Sequence, residues 1–315
     1  MAAAAGFTLA CFTAVGNAMT DVGRKRLGKT GIGSALQIAI VCMLEGLLGT
    51  VFLTMTGAFT VPAAEFWLPA VSSAILNAIA KTLQTKAYNE YDISLCAPFN
   101  AALPVMQFLV STFILREPQL PLHRVAGVFV VAAGASWLAM RGAPPPAKGS
   151  SKAEKASYMG PLPTGAVIVL FNCMIWSFTT KLDELATRVA GGWTYLTYGK
   201  LMTGAWAYLG DKLTSGKGAA EKDKKDDKQA KAAGPIYLQP KVMAMLFGVA
   251  CAEGVYMLCY YGAITRVSKV YVVAIKKGGG LLISAMFGVL FFGENIQGRL
   301  MPILAIVSGV VLLAV

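Results

Sequence analysis

The sequence predicts an all-α integral membrane protein with about ten transmembrane helices, arranged as two inverted five-helix repeats. The chain of 315 residues is 56% hydrophobic and only 14% charged, whereas soluble domains carry about 25% charged residues. Apolar stretches of about 20 residues, enough to cross a hydrocarbon core, recur along the chain. The last five stretches repeat the pattern of the first five. Because each repeat crosses the membrane an odd number of times, the second copy is inverted.

The apolar stretches predict a helix at each of ten positions. The first stretch could also be a signal peptide, but Asn17, Thr20 and Asp21 follow its apolar run without a small-residue cleavage site. This pattern favours a membrane span. The predicted helices cover residues 4–22, 34–57, 66–88, 93–115, 123–140, 163–184, 193–212, 241–264, 268–292 and 298–315.

Two hydrophilic segments define the domain organisation. Residues 1–140 form the first repeat, residues 141–162 form a linker with three consecutive prolines, and residues 163–315 form the second repeat. Within the second repeat, residues 215–238 are rich in lysine and almost free of apolar side chains. Such a composition cannot bury enough apolar surface to fold, so we expect a disordered loop there.

The two halves align with each other at two offsets. Residues 87–118 align without gaps with residues 264–295 at an offset of 177, and the earlier helices align at an offset near 155. The longer lysine-rich loop of the second half accounts for the difference. The second alignment pairs Asn17 with Asn172 and Glu45 with Lys200.

The net charge of +12 lies mostly in segments that flank the predicted helices. The main clusters are the basic triplet at residues 24–26, the linker, and the loop from residue 212 to residue 231. Basic loops orient membrane proteins, and no aromatic residues are interleaved with these clusters. We therefore expect no nucleic-acid partner, and we expect the triplet to be solvated and to set the topology.

The reactive side chains exclude several kinds of chemistry. Six cysteines all lie inside predicted helices without a CxxC pair, and His123 is the one histidine. This pattern predicts no disulfide framework and no metal site. Without a nucleophile–base motif or a phosphate-cradling loop, we expect no catalytic residues, no cofactor and no enzyme activity.

Polar side chains inside the predicted spans are the candidate binding residues. An ionisable group at a helix centre costs about 2.5–3.5 kcal/mol on insertion scales, so it normally faces a cavity or a partner. On the third predicted helix, Asn77, Lys81, Gln84 and Tyr88 share one face. The same reasoning adds Asn17, Asn100, Gln107, Asn172, Trp176, Glu253, Tyr256, Tyr260, Lys276 and Lys277 to the substrate-binding candidates.

Two basic residues and three glycines lie together in the ninth predicted helix. Adjacent side chains diverge by about 100° on a helix, so we expect one of Lys276 and Lys277 to face the cavity. The other would face a neighbouring helix or the membrane interface. The glycines at residues 278–280 permit close helix packing or a local unwinding. In the fourth predicted helix, Pro104 predicts a kink, because proline breaks the helical hydrogen-bond pattern.

The remaining ionisable and aromatic residues have expected structural roles. Glu45 and Lys200 carry opposite charges at repeat-equivalent positions, so we expect a structural ion pair between them, or with Lys81 or Glu253. Glu253 itself could carry a proton or form a substrate clamp with a lysine, and the sequence leaves both open. Three aromatics near span ends are expected in the interfacial belt, namely Tyr195, Tyr198 and Tyr208.

The chain resembles a ten-helix member of the drug/metabolite transporter superfamily, of the EamA type. The matching stretches are YDISLCAPFNAALPVMQFLVSTFILRE and YYGAITRVSKVYVVAIKKGGGLLISAMFGVLFFGE, with weaker support from NCMIWSFTTKLDEL. The resemblance covers nearly the whole chain apart from the two hydrophilic loops. It implies a central cavity lined by helices 1, 3, 4, 6, 8 and 9. Because relatives carry amino acids, drugs, nucleotide sugars and sugar phosphates, it leaves the substrate open.

Together these features predict a secondary transporter of a small organic solute with alternating access around a midplane cavity. Cations outnumber anions in the predicted spans, which favours an anionic substrate held by Lys81, Lys276 and Lys277. One alternative is a proton-coupled exporter of amino acids or amines that uses Glu253. Another is a non-transporting membrane receptor or assembly protein.

The expected partners are therefore a small-molecule solute and the lipid bilayer. The chain could be a monomer or a homodimer. As a multi-pass protein it fits either the plasma membrane or an organelle membrane. The basic loops place both termini outside the cytosol, whereas members of the resembled family more often have their termini inside.

Overall fold

Helices form almost all of the structure, a computed structural model that describes residues 2–28, 30–90, 97–116, 121–142, 158–159, 162–222, 236–292 and 300–314. Ten helical segments lie at the ten positions that the sequence predicts. They are α1 (Ala2–Gly28), α2 (Ser34–Met55), α3 (Ala64–Glu90), α4 (97–114), α5 (Leu122–Gly142), α6 (Thr164–Ala190), α7 (Gly192–Lys222), α8 (Pro240–Ile264), α9 (Lys269–Phe292) and α10 (Leu300–Ala314).

Helix α4 is irregular. It begins as a 3₁₀ turn at Ala97–Ala102, continues as an α-helix at Leu103–Leu109 and ends as a π-turn at Val110–Ile114. The structure does not have the kink that was expected within a helix at Pro104. Pro104 lies in the first turn of the α-helical part, where its missing N–H would have no intrahelical partner in any case.

Three helix ends lie six to ten residues beyond the sequence prediction, those of α1, α6 and α7, because charged residues continue the helices. Helix α1 extends through the basic triplet to Gly28, and Arg24 is buried. The expectation of a solvated triplet is therefore wrong for Arg24. Helix α7 extends to Lys222, into the segment predicted as a disordered loop. Residues 223–235 of that loop lie outside the described residues, and its end, Ile236–Leu238, forms a 3₁₀ turn instead of the expected disordered segment.

The linker contributes one small element among the described residues. Strand β1 (Tyr158–Met159) pairs antiparallel with strand β2 (Leu162–Pro163), directly before α6. Residues 143–157 of the linker lie outside the described residues.

Within the described residues, three helices are long and apolar enough to cross a membrane, namely Ser34–Met55, Ala64–Ala87 and Pro240–Ile264. Several of their outward-facing side chains are large and apolar, including the exposed Leu47, Val51, Leu68 and Val255. Apolar surfaces of this extent are unusual on soluble monomers. The fold therefore fits an all-α membrane protein.

The helices pack in recurring pairs. Helix α1 packs against α8 and α9, α3 packs against α6 and α7, α2 packs against α7, and α5 packs against α10. Glycines bring the backbones of α2 and α7 close together. A Cβ atom added to Gly46 would lie 2.5 Å from the Leu201 side chain, and one on Gly204 would lie 3.1 Å from the Ala39 carbonyl oxygen. Small residues at helix contacts are typical of helix association in membranes.

The substitution Gly46→Leu is expected to destabilise the protein by about 1–3 kcal/mol, because an overpacked contact must shift its neighbours. The loss can be measured by titrating purified protein in mixed micelles with SDS and following its far-UV circular dichroism. Gly248→Leu is the matched control, since nothing lies within 4 Å of a Cβ atom at that position. Equal stability of the two variants would contradict the close α2–α7 contact.

Candidate functional site

A small polar cavity lies between α1, α3, α4, α6, α8 and α9. These are the six helices that the family resemblance implied. The cavity measures about 60 Å³, whereas pockets for organic ligands measure about 300–1,000 Å³. This conformation is therefore closed around a space of a few water molecules. The lining residues are Asn17, Asp21, Arg24, Asn77, Lys81, Gln84, Leu103, Trp176, Thr179, Thr180, Asp183, Tyr256, Met257, Tyr260, Val273, Lys276 and Lys277.

The cavity gathers most of the binding residues predicted from the sequence. Asn17, Asn77, Lys81, Gln84, Trp176, Tyr256, Tyr260, Lys276 and Lys277 all line it. Four candidates are buried without lining it, namely Asn100, Gln107, Asn172 and Glu253. Tyr88 lies on α3, but its side chain is outside the described part of the chain.

The lysines of α9 both line the cavity, contrary to the expectation that only one would. Lys276 Nζ lies 5.0 Å from the ring centroid of Tyr256 and 4.6 Å from that of Tyr260. Lys277 Nζ lies 4.8 Å from the ring centroid of Trp176. These distances allow cation–π attraction. The expectation from the 100° angle between adjacent side chains is wrong because the four-carbon stem of a lysine is long and flexible. Two lysines at adjacent positions can therefore both reach the cavity.

The glycines that follow these lysines keep α9 close to α1. Helix α9 is continuous across them, so of the two expectations the structure has close packing and no unwinding. A Cβ atom on Gly279 would lie 3.0 Å from the Ala14 Cβ atom, and one on Gly280 would lie 3.6 Å from the Ala14 carbonyl oxygen. The close approach brings Lys276 and Lys277 toward the polar residues of α1.

A buried charge cluster lies beside the cavity and is centred on Glu253 of α8. The Glu253 carboxylate is fully buried and forms ion pairs with Arg24 of α1 and Lys81 of α3. Lys200 Nζ of α7 lies 2.7 Å from Glu253 Oε1. Three cations from three helices thus neutralise one carboxylate. Glu253 itself does not line the cavity, although its partners Arg24 and Lys81 do.

The contact predicted between Glu45 and Lys200 is present, since the two form an ion pair between α2 and α7. Because Lys200 also contacts Glu253, the predicted pair belongs to the larger charge cluster. Neither Glu45 nor Lys200 lines the cavity. That location agrees with the expectation of a structural role.

A second buried network, missed by the sequence analysis, surrounds Asp183 of α6. The hydroxyls of Ser73 on α3 and Tyr195 on α7 both donate hydrogen bonds to Asp183 Oδ1. Asn77 Nδ2 in turn donates to Ser73 Oγ over 2.9 Å. Tyr195 is therefore a buried hydrogen-bond donor, and its assignment to the interfacial belt is wrong. The signal was Asp183 itself, an acidic residue at the end of the predicted span 163–184.

Arg24 and Asp21 were also missed as cavity residues, because Arg24 lies beyond the predicted end of the first helix and Asp21 lies at that end. Both line the cavity, one turn apart on α1. Asn17 Nδ2 donates to Asp21 Oδ2 over 3.2 Å. The periodicity of Asn17, Asp21 and Arg24 at spacings of four and three was the available signal, since it is typical of one helix face.

Two buried amides of the candidate set have no hydrogen-bond partner among the described residues. These are the side-chain amides of Gln107 on α4 and Asn172 on α6. Both are fully buried, and neither lines the cavity. The structure gives them no direct role in binding a cavity ligand.

The described residues contain no group of three histidine, cysteine, aspartate or glutamate side chains that could hold a metal ion. The five cysteines within them are free thiols, and two of these, Cys42 and Cys173, are buried.

Comparisons with known proteins inform the fold alone. No protein-family description matches the chain, and no curated protein matches it. Among 28 matching chains of solved structures is one described only as "Crystal structure of protein". It superposes with a TM-score of 0.67 over 99% of this chain and 96% of its own, at 16% sequence identity. The class that fold and site define is thus a helical bundle around a closed, charged cavity.

Proposed function

We propose that this protein is a ten-span secondary transporter of the EamA type that carries a small organic anion through the cavity between its two halves. The polar cavity is built from helices of both halves, as alternating access requires. Because the closed cavity is too small for an organic solute, transport would need the halves to separate on one side at a time.

The packing pattern supports two inverted repeats. If each helix is exchanged with the helix five positions later, the α1–α8 contact becomes the α6–α3 contact. Under the same exchange, the α2–α7 and α5–α10 contacts each map onto themselves. An arrangement that is unchanged by this exchange is expected of two repeats related by a two-fold axis.

The proposal of an anionic substrate rests on one observation, the environment of Lys276 and Lys277. Both ammonium groups face the cavity over aromatic rings, and neither forms an ion pair within the described part of the chain. A cation removed from water is stabilised strongly by a charge-assisted hydrogen bond to an anion. Trp176, Tyr256 and Tyr260 would then contact the apolar or planar part of the same substrate.

The excess of cations over anions is smaller in the structure than the sequence predicted, but it has the same sign. The predicted spans contain four candidate cations and two candidate anions, and the structure adds Arg24, Asp21 and Asp183. Among the described cavity and cluster residues, five cations therefore face four carboxylates. The cations are Arg24, Lys81, Lys200, Lys276 and Lys277, and the carboxylates are Asp21, Glu45, Asp183 and Glu253.

The geometry gives less support to an exporter of amines that uses Glu253. An amine would need a carboxylate that faces the cavity, whereas Glu253 is held by Arg24, Lys81 and Lys200 behind the lining. A non-transporting receptor would be expected to have a tightly packed apolar interior, and the polar lining argues for a hydrated one.

Uptake by purified protein in liposomes tests the proposal, with a pool of phosphorylated, carboxylated and amine metabolites inside and outside. We expect selective uptake of anions, reduced at least about tenfold by Lys276→Gln together with Lys277→Gln, since the loss of a charged hydrogen bond costs about 1.5–3 kcal/mol. Lys241→Gln is the matched control, because Lys241 is exposed at the start of α8.

Two results would overturn the anionic assignment. One is uptake of amines or neutral solutes with no anion uptake. The other is anion uptake that the double lysine variant leaves unchanged. Loss of uptake after Glu253→Gln alone would not decide between substrates, since that change also disrupts the charge cluster. Protein stability must therefore be measured alongside transport.

A further inference from the structure

We propose that Asp183 is the proton-binding site that couples anion uptake to a proton gradient. This inference rests on the proposed transport function and names its coupling ion. Asp183 lines the cavity next to the proposed anion site, yet its side chain is buried and held from α3 and α7. The carboxylate is therefore reachable from the cavity but shielded from bulk solvent.

The partners of Asp183 allow both of its protonation states. Its hydrogen-bond partners are the hydroxyls of Ser73 and Tyr195, and no cation forms an ion pair with it among the described residues. A hydroxyl can donate to a carboxylate and can rotate to accept from a protonated carboxyl group. Asn77 donates to Ser73 and stays in place in either state. The network can thus take up or release a proton without leaving a buried group unpaired.

The other buried carboxylates lack this property. Glu253 contacts Arg24, Lys81 and Lys200, and Glu45 contacts Lys200. Ammonium and guanidinium groups only donate hydrogen bonds, so a proton on either carboxyl would have no acceptor among these partners. Asp21 accepts a hydrogen bond from the amide of Asn17, and Lys277 and Arg24 attract its carboxylate electrostatically, as cations that only donate hydrogen bonds.

The charged and titratable groups that face Asp183 come from four neighbouring elements. Lys81 lies on α3 and Lys276 on α9, and both interact with Asp183 electrostatically without contact. Tyr195 lies on α7, and Tyr260 and Tyr261 lie on α8. The helix of Asp183 itself, α6, adds Glu184. Its carboxylate is neutralised by Lys181, Arg188 and Lys269 at distances of 3.1–3.4 Å.

The coupling follows from charge. An anion at Lys276 and Lys277 lies in the same small cavity as the Asp183 carboxylate, and like charges in a desolvated space repel. A proton from the external solution converts that carboxylate to a neutral carboxylic acid and removes the repulsion. When the cavity opens to the other side, the anion and the proton leave together. One proton therefore moves with each anion, and the cycle transfers no net charge for a monoanion.

The test measures the steady-state accumulation of a monoanion in liposomes that carry a pH gradient. With external pH one unit below internal pH, one-to-one coupling should give an accumulation ratio of about ten, because one pH unit equals a tenfold concentration ratio. Asp183→Asn should still bind and exchange the anion, but its accumulation ratio should fall to about one. Glu184→Gln, at the neighbouring carboxylate that does not line the cavity, is the control and should keep the gradient response.

Several outcomes would overturn the inference while leaving the transport proposal intact. These are an unchanged pH response in Asp183→Asn, loss of the response in a variant of the other cavity carboxylate, Asp21→Asn, while Asp183→Asn keeps it, and accumulation driven by a sodium gradient at equal pH. No transport by the wild-type protein would instead reject the proposed function.

A second measurement covers the case in which Asp183→Asn does not fold. Tyr195→Phe removes one hydroxyl and keeps the carboxylate, so it should shift the pH at which anion exchange is half-maximal. Infrared difference spectra of the wild-type protein between acid and neutral pH should contain a protonated-carboxyl band, and this band should shift in Tyr195→Phe. A band and a pH profile that Tyr195→Phe leaves unchanged would reject Asp183 as the site.

Discussion

Replacement of Glu253 by glutamine is expected to lower the free energy of unfolding by about 3–5 kcal/mol, the cost of breaking a buried ion pair by removing one partner. The carboxylate is fully buried and contacts Arg24, Lys81 and Lys200. Without it, Lys200 alone of the three cations would keep an ion pair among the described residues, with Glu45. The loss should appear as a lower SDS concentration at the midpoint of unfolding in mixed micelles.

Glu184→Gln provides the matched control for this prediction. Glu184 also contacts three cations, but it is only partly buried and lies near the end of α6, where ion pairs contribute about 0–1 kcal/mol each. A compensating double change, Glu253→Gln with Lys81→Gln, should recover part of the stability because it removes one uncompensated cation. Equal stability of Glu253→Gln and Glu184→Gln would contradict the buried cluster.

Replacement of Arg24 by glutamine should reduce the free energy of unfolding by about 3 kcal/mol, whereas the same change at Arg26 should have no measurable effect. The two arginines belong to one basic triplet, but Arg24 is 6% exposed and paired with Glu253, while Arg26 is exposed. Glu253 keeps Lys81 and Lys200 after the change, which sets the loss at the lower end of the range for broken buried pairs.

The comparison of Arg24→Gln with Arg26→Gln can be made by the same SDS titration. It separates two readings of the triplet. If both arginines only set the topology, both changes should be tolerated equally by the folded protein. If Arg24 holds α1 against α8, only its change should lower the midpoint.

Helix positions were predictable because apolar stretches between hydrophilic loops are a strong local signal. Each of the ten predicted ranges coincides with a described helical segment. Helix ends were less predictable, since a residue such as Arg24 indicates a loop in sequence and becomes buried only through a partner. That partner, Glu253, is distant in sequence, and no local pattern identifies it.

The cavity residues were predictable where a polar side chain interrupts an apolar helix, as at Asn77 and Lys81. The ion pairs and hydrogen bonds between these residues were not predictable. The sequence could not show that Glu253 turns behind the lining or that Asp183 accepts hydrogen bonds from two hydroxyls. Such contacts depend on the rotation of each helix and on side-chain rotamers. Spacing along one helix fixes neither of these quantities.

The partnership of Arg24 with Glu253 has a consequence for the order of events during synthesis. The two residues are separated by 229 positions, and the ribosome adds about 5–20 residues per second. Arg24 therefore exists for roughly 10–50 s before Glu253 is made. During that interval, Asp21, three residues earlier on the same helix, is the acidic residue nearest to it in sequence. The nascent first helix must be held, by its neighbours or by the insertion machinery, until the eighth helix arrives.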